Sequence, residues 1–141
     1  METIERTAIT VETTVNAPLS KVWEYWTEPK HITAWCQASD DWCAPYADND
    51  VKENGKFKTT MAAKDGSMKF DFEGIYTAVD PQRRLAYTIG DGRKVTVDFV
   101  EKGEQTLVTE KFETEDTHSP EMQRQGWQAI LDNFKKYTEN N

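Results

Sequence analysis

Histidine and cysteine are scarce in this chain: His31, His118, Cys36 and Cys43 are all there is among 141 residues. Two cysteines cannot build a disulfide framework, and in a reducing compartment both are expected as free thiols. Their spacing matches none of the standard zinc patterns, even with His31 nearby, so neither a metal nor a cofactor is expected. No Gly-x-Ser-x-Gly elbow occurs, and His31 in the second short helix and His118 just before the long one are expected as surface or helix-end residues, so a hydrolase triad is not expected. Cations are in deficit as well: 17 Lys and Arg against 25 Asp and Glu leave a net charge of -8. Phosphate backbones and anionic lipid both need clustered Lys and Arg, which argues against nucleic-acid and membrane-surface roles. No apolar run approaches the roughly 20 residues of a bilayer span. The opening residues are charged and alternating, without the apolar centre of a signal peptide, so a cytoplasmic protein is expected.

What the chain has is aromatic surface. Five Trp, five Tyr and six Phe supply apolar area that disordered segments lack, and 141 residues suit one domain, 1–141, with a real core. Thr7 to Val15 reads as a strand with Ile9, Val11 and Val15 on one face. Pro18 and Ser20 open a short helix carrying Val22, Trp23 and Trp26; Pro29 ends it and starts a second, from Pro29 to Ala34, with Ile32 and Trp35. Trp42 to Asp50 is poorly patterned and reads as a strand or an irregular loop. Beyond Gly55 the alternation is antiparallel in character. Phe57, Thr59 and Met61 share one parity; Met68, Phe70, Phe72 and Tyr76 mark a face of the next strand, with Lys69, Asp71 and Glu73 opposite. Leu85, Tyr87 and Ile89 follow, then Val95, Val97 and Phe99, with Asp98 on the wet side. The last strand, Thr106 to Phe112, has apolar residues on both parities and leaves its inward face open. Glu113 to Asp116 reads as a solvated loop. Ser119-Pro120-Glu121 then starts a helix of four or five turns, with Met122, Trp127, Ile130, Leu131, Phe134 and Tyr137 as its apolar stripe. A sheet with one apolar face needs a cover, and this helix alone is long enough to provide it.

Several residues carry a more specific likeness. Val22-Trp23 with Thr27, Pro29 and Trp35, then Gly55 and Phe57, then Gly74-Ile75-Tyr76 leading through Val79-Asp80-Pro81 to Leu85 and Tyr87, and finally Gly126-Trp127 with Leu131, Phe134 and Tyr137 occur in one order along the chain. In that order they resemble the START-like (SRPBCC) superfamily and, within it, the family named for the activator of the ninety-kilodalton heat-shock chaperone ATPase. The resemblance implies an α+β helix-grip fold: a curved antiparallel sheet wrapped around a long C-terminal helix, with two short helices after the first strand. It also implies a space between sheet and helix, which relatives use for lipids, polyketides or hormones. In the eukaryotic co-chaperone a separate N-terminal domain makes the main chaperone contact, and 141 residues leave no room for one, so chaperone activation is not expected here.

The leading functional expectation is a protein that binds a small apolar molecule without covalent chemistry, as a monomer or homodimer. A cyclase or isomerase acting on a carbonyl compound is the second reading, and a protein-interaction module the third. Trp35, Phe57, Phe72, Tyr76, Tyr87, Phe99 and Trp127, with Ile130 beside them, are the expected lining, and tyrosine hydroxyls would orient the guest. Glu110 faces inward if Val108 and Phe112 do, and is solvated if Leu107 does; the solvated reading is preferred, because Glu is rarely buried without a partner. Gly126 lies within the long helix, where glycine costs about 1 kcal/mol relative to alanine, and is expected to face the sheet, either to admit a close strand or to leave room for a guest.

Overall fold

Threonine, isoleucine and valine alternate at the start because an extended, half-buried strand favours β-branched residues at every second position. In the computed structural model, which describes residues 7–37 and 39–141, they form β1 (Ala8–Val15), with Val11 and Val15 buried. Pro18 sits at the N-cap of α1 (Leu19–Thr27), and Pro29, whose missing N–H loses nothing in a first turn, opens α2 (Pro29–Trp35). Thr27 closes α1 by donating from Oγ1 to the Trp23 carbonyl at 2.8 Å.

Six further strands then run in sequence order: β2 (Trp42–Asn49), β3 (Lys56–Ala63), β4 (Lys69–Asp80), β5 (Arg84–Ile89), β6 (Lys94–Lys102) and β7 (Gln105–Glu113). The ambiguous segment after Trp42 is thus an edge strand. Its pattern was obscured by a bulge between Cys43 and Tyr46, where Pro45 has no N–H to give to a ladder. All neighbours pair antiparallel in one seven-stranded sheet of order β1-β7-β6-β5-β4-β3-β2, so the first two strands lie at opposite edges with α1 and α2 linking them. The sheet curls into a half-barrel around α3 (Pro120–Asn140), as the helix-grip expectation requires.

Register decides which side chains the curl encloses. Phe99 pairs with Val108, Val97 with Glu110 and Val95 with Phe112, so these six share the inner face. Val108 and Phe112 are wholly buried, and Leu107 is on the other side. Ser119 caps α3 by accepting from the Met122 amide at 3.2 Å, a bond of a kind that contributes about 1 kcal/mol. Leu131, Phe134 and Thr138 are its fully buried residues, and each apolar one contributes about 2 kcal/mol by leaving water. Met122 departs from the expected stripe: it is 59% exposed, in the first turn of the helix at the rim of the pocket. The helix lies against β1, α1 and α2 rather than being pressed onto β3 to β5. That offset leaves space over the far half of the concave face.

Candidate ligand pocket

The space between α3 and the far strands is a pocket of about 570 Å³. Its walls draw on all three helices and on the strands β2 to β5 and β7. Trp26, Ile32, Trp35 and Cys36 approach from α1 and α2; Phe57, Thr59 and Met61 from β3; Phe70, Phe72, Tyr76 and Tyr87 from β4 and β5; and Gly126, Trp127 and Ile130 from α3. Aromatic contacts fix the walls. Trp127 stacks on Phe112 with centroids 4.1 Å apart and meets Phe72 edge-on at 6.0 Å. Phe57 is edge-on to Tyr87 at 4.8 Å and tilted against Tyr76 at 5.3 Å. The Trp35 indole donates to the Tyr25 carbonyl at 2.8 Å, and its ring packs edge-on against Phe134 at 4.9 Å.

Of the ten side chains expected at the site, nine line this pocket: Trp35, Phe57, Phe72, Tyr76, Tyr87, Glu110, Gly126, Trp127 and Ile130. Phe99 does not. It is buried at the other end of the sheet's inner face, edge-on to Trp23 at 5.4 Å and to Trp26 at 5.8 Å, where α1 covers β6. Parity placed it on the correct face but could not place it along the strand. Gly126 faces open space, with nothing within 4 Å of where a Cβ would stand, so it admits no close strand and instead leaves the pocket wide.

Glu110 corrects the solvated expectation, because it is 5% exposed. Val108 and Phe112 face inward, which fixes the intervening even position between them. No hydrogen-bond partner meets its carboxyl among the described residues, and burial pushes its pKa up to about 8. Burial also lifts the Cys36 thiol to about 12 and the Tyr87 hydroxyl well above its ordinary value, each with a further push from Glu110. A thiol held so far from ionisation is a poor nucleophile. Tyr76 is committed elsewhere, donating to Asn49 Oδ1 at 2.6 Å while Asn49 Nδ2 donates to the Thr27 carbonyl at 2.8 Å. Tyr87 keeps its hydroxyl free of hydrogen-bond partners among the described residues.

The mouth is polar and held together. Gln123 accepts from the Glu115 amide at 2.9 Å and donates to the carbonyls of Glu115 and His118 at 3.0 and 2.8 Å, tying the segment before α3 to its first turns. The acidic stretch is therefore not a simply solvated loop. Although desolvation opposes it, hydrogen bonds from Thr117 and His118 hold the Glu115 carboxyl down to about 2. His118 pairs with Glu115 at 2.8 Å, and His31 stacks on Tyr25 and shares a hydrogen bond with Tyr137 at 2.8 Å. Neither histidine stands beside Glu110. Among lining residues that sequence reasoning passed over, Thr59 and Met61 share the parity of Phe57 and could have been found by it, whereas Cys36 and Asn49 carried no signal. Cys36 and Cys43 are both free thiols.

Residues 16–139 match the family described as "Activator of Hsp90 ATPase homolog 1-like protein". Several solved structures are similar over nearly the whole chain. The AHSA1-like protein of Aeromonas hydrophila is 41% identical, covers 95% of this chain and 93% of its own, and superimposes with a TM-score of 0.89. A protein of Cytophaga hutchinsonii is 57% identical over 94% of this chain and 92% of its own, with a TM-score of 0.81. A Chromobacterium violaceum protein at 20% identity, covering 96% of this chain and 99% of its own, shares the fold with a TM-score of 0.85. No curated protein matches. With its curled sheet, its two short helices and a match spanning residues 16–139, the chain belongs to the Activator of Hsp90 ATPase homolog 1-like family and has its START-like fold.

Proposed function

We propose that this protein binds a small, mostly apolar molecule in the pocket between α3 and the sheet, and performs no covalent chemistry on it. The observation that carries the reading is the pocket itself: about 570 Å³, walled by aromatic rings, with a lining surface that is mostly apolar. Such a composition suits a guest of drug-like size held by apolar contact and oriented by one or two polar groups. Membership of a fold whose proteins commonly bind ligands supports it. A module serving protein contacts alone would have its interior filled by its own side chains, since close packing is the rule in cores. Equilibrium dialysis of ethylnaphthalene against the protein tests the reading. Saturable uptake of one molecule per chain is expected in the parent, and loss of that uptake in Gly126→Leu, which projects a side chain into the pocket. No saturable uptake, or equal uptake by the two proteins, would sink it.

A further inference from the structure

We propose that the pocket selects guests carrying a hydrogen-bond-accepting oxygen, a carbonyl above all, which it places against the Glu110 carboxyl and the Tyr87 hydroxyl. This rests on the pocket being a binding site and goes further, to the chemistry of the guest.

Two polar groups are turned into the apolar chamber without partners of their own. Glu110 is 5% exposed and Tyr87 is 7% exposed, both line the pocket, and neither has a hydrogen-bond partner among the described residues. Buried polar groups are ordinarily satisfied, so a pair left open at the wall of a cavity marks where a ligand's polar atom goes. The sheet register sets them two strands apart on the same inner face, Glu110 beside Val97 on β6 and Tyr87 beside Val95 on the same strand. Val11 and Val97, from the strands flanking Glu110, offer it no charge.

The ionisable surroundings decide between an accepting and a cationic guest. Tyr87 from β5, Tyr76 from β4 and Cys36 at the end of α2 face the chamber, and all are neutral acids at pH 7. At the mouth, Arg93 is paired with Asp91 and His118 with Glu115, while Asp48 is on β2. The α3 residues that line the pocket include no titratable one. Glu110 thus has no cation to hold its charge, and burial keeps its proton up to about pH 8. A protonated carboxyl is a donor, and so is an unpaired tyrosine hydroxyl. Two donors in a low-dielectric chamber are complementary to an acceptor oxygen and polarise a carbonyl; a protonated carboxylic acid beside a tyrosine serves another protein this way.

Equilibrium dialysis of acetylnaphthalene, ethylnaphthalene and naphthylethylamine at pH 6.5 and 9.5 decides the matter. At pH 6.5 acetylnaphthalene should bind about tenfold tighter than ethylnaphthalene, the size of one to two net hydrogen bonds. That ratio should collapse at pH 9.5, where Glu110 is a carboxylate and cannot donate. Glu110→Gln, which keeps an N–H donor, should retain the preference at both pH values, and Glu110→Ala should keep only the smaller part that Tyr87 supplies, the same at both. Tyr87→Phe should weaken it several-fold, and the carbonyl stretch of bound acetylnaphthalene should lie at lower wavenumber in the parent than in Glu110→Ala. If acetyl and ethyl compounds bind equally, the acceptor proposal is wrong while the pocket reading stands. If the amine binds tightest, with affinity rising through pH 8, the site is a cation site instead. Failure of every probe to bind overturns both.

Discussion

Glu110 is the residue whose position costs the fold most visibly. Its folded pKa of about 8 stands above the ordinary carboxylate value of 4.5 because burial disfavours the charge. A raised pKa means the folded state holds the proton more tightly, so this group's contribution is favourable below pH 4.5 and is lost as pH climbs to about 8. At pH 7 the cost is about 3 kcal/mol on the scale of 1.4 kcal/mol per pKa unit. Glu110→Gln should therefore be more stable than the parent at pH 7 by ~1–3 kcal/mol, with the gap closing toward pH 5. Urea unfolding at the two pH values checks it, and a gap that does not change with pH would contradict the assignment. Gly126 is a second residue with a separable cost. Because nothing lies within 4 Å of its absent Cβ, Gly126→Ala should raise stability by up to about 1 kcal/mol through helix propensity alone. Thermal unfolding that shows a loss instead would mean the helix lies closer to the sheet than described.

Among the elements, the junction of β3, β4 and β5 is closely packed around a glycine. A Cβ on Gly74 would stand 2.5 Å from the Thr88 carbonyl oxygen of β5 and 2.9 Å from the Phe57 ring of β3. Backbone cannot yield as a flexible side chain can, so Gly74→Ala should destabilise by ~1–3 kcal/mol. Since Phe57 is part of the wall, the same variant should also weaken uptake of ethylnaphthalene, which dialysis at matched folded fraction would read; unchanged stability would refute the close contact. Elements were legible in the sequence wherever period and punctuation agreed. Pro29 marked the break between α1 and α2, Ser119-Pro120-Glu121 marked the start of α3, and the alternation from Phe57 to Phe99 gave the central strands. Legibility failed where the physics is tertiary. Leu107, Val108 and Phe112 are all apolar, so only pairing of β7 with β1 and β6 chooses the inward parity and with it the burial of Glu110. Phe99 has the right face but the wrong end of the strand, because alternation carries no information on which neighbour covers a residue. The hydrogen bond from Tyr76 to Asn49 joins residues 27 positions apart and depends on β2 reaching the pocket, which its bulged pattern concealed.

At the scale of the molecule, the offset of α3 toward β1, α1 and α2 makes a pocket out of what would otherwise be a filled core. No helix among the described residues is long and apolar enough to cross a membrane. The family's name refers to a chaperone ATPase, and for this chain we expect no appreciable stimulation of that ATPase even in excess; strong stimulation in a coupled assay would raise the interaction reading above the ligand reading. Whether the chamber walled by Trp35, Phe57, Tyr87 and Trp127 takes a guest is read from nitrogen–proton correlation spectra recorded during titration with acetylnaphthalene. Saturable shifts of one-to-one stoichiometry are expected, largest at the indole resonances of Trp35 and Trp127 and at amides of β3, β5 and the first half of α3, and absent from Gly126→Leu. Saturable shifts centred anywhere else, or no saturable shifts at all, would contradict the ligand reading.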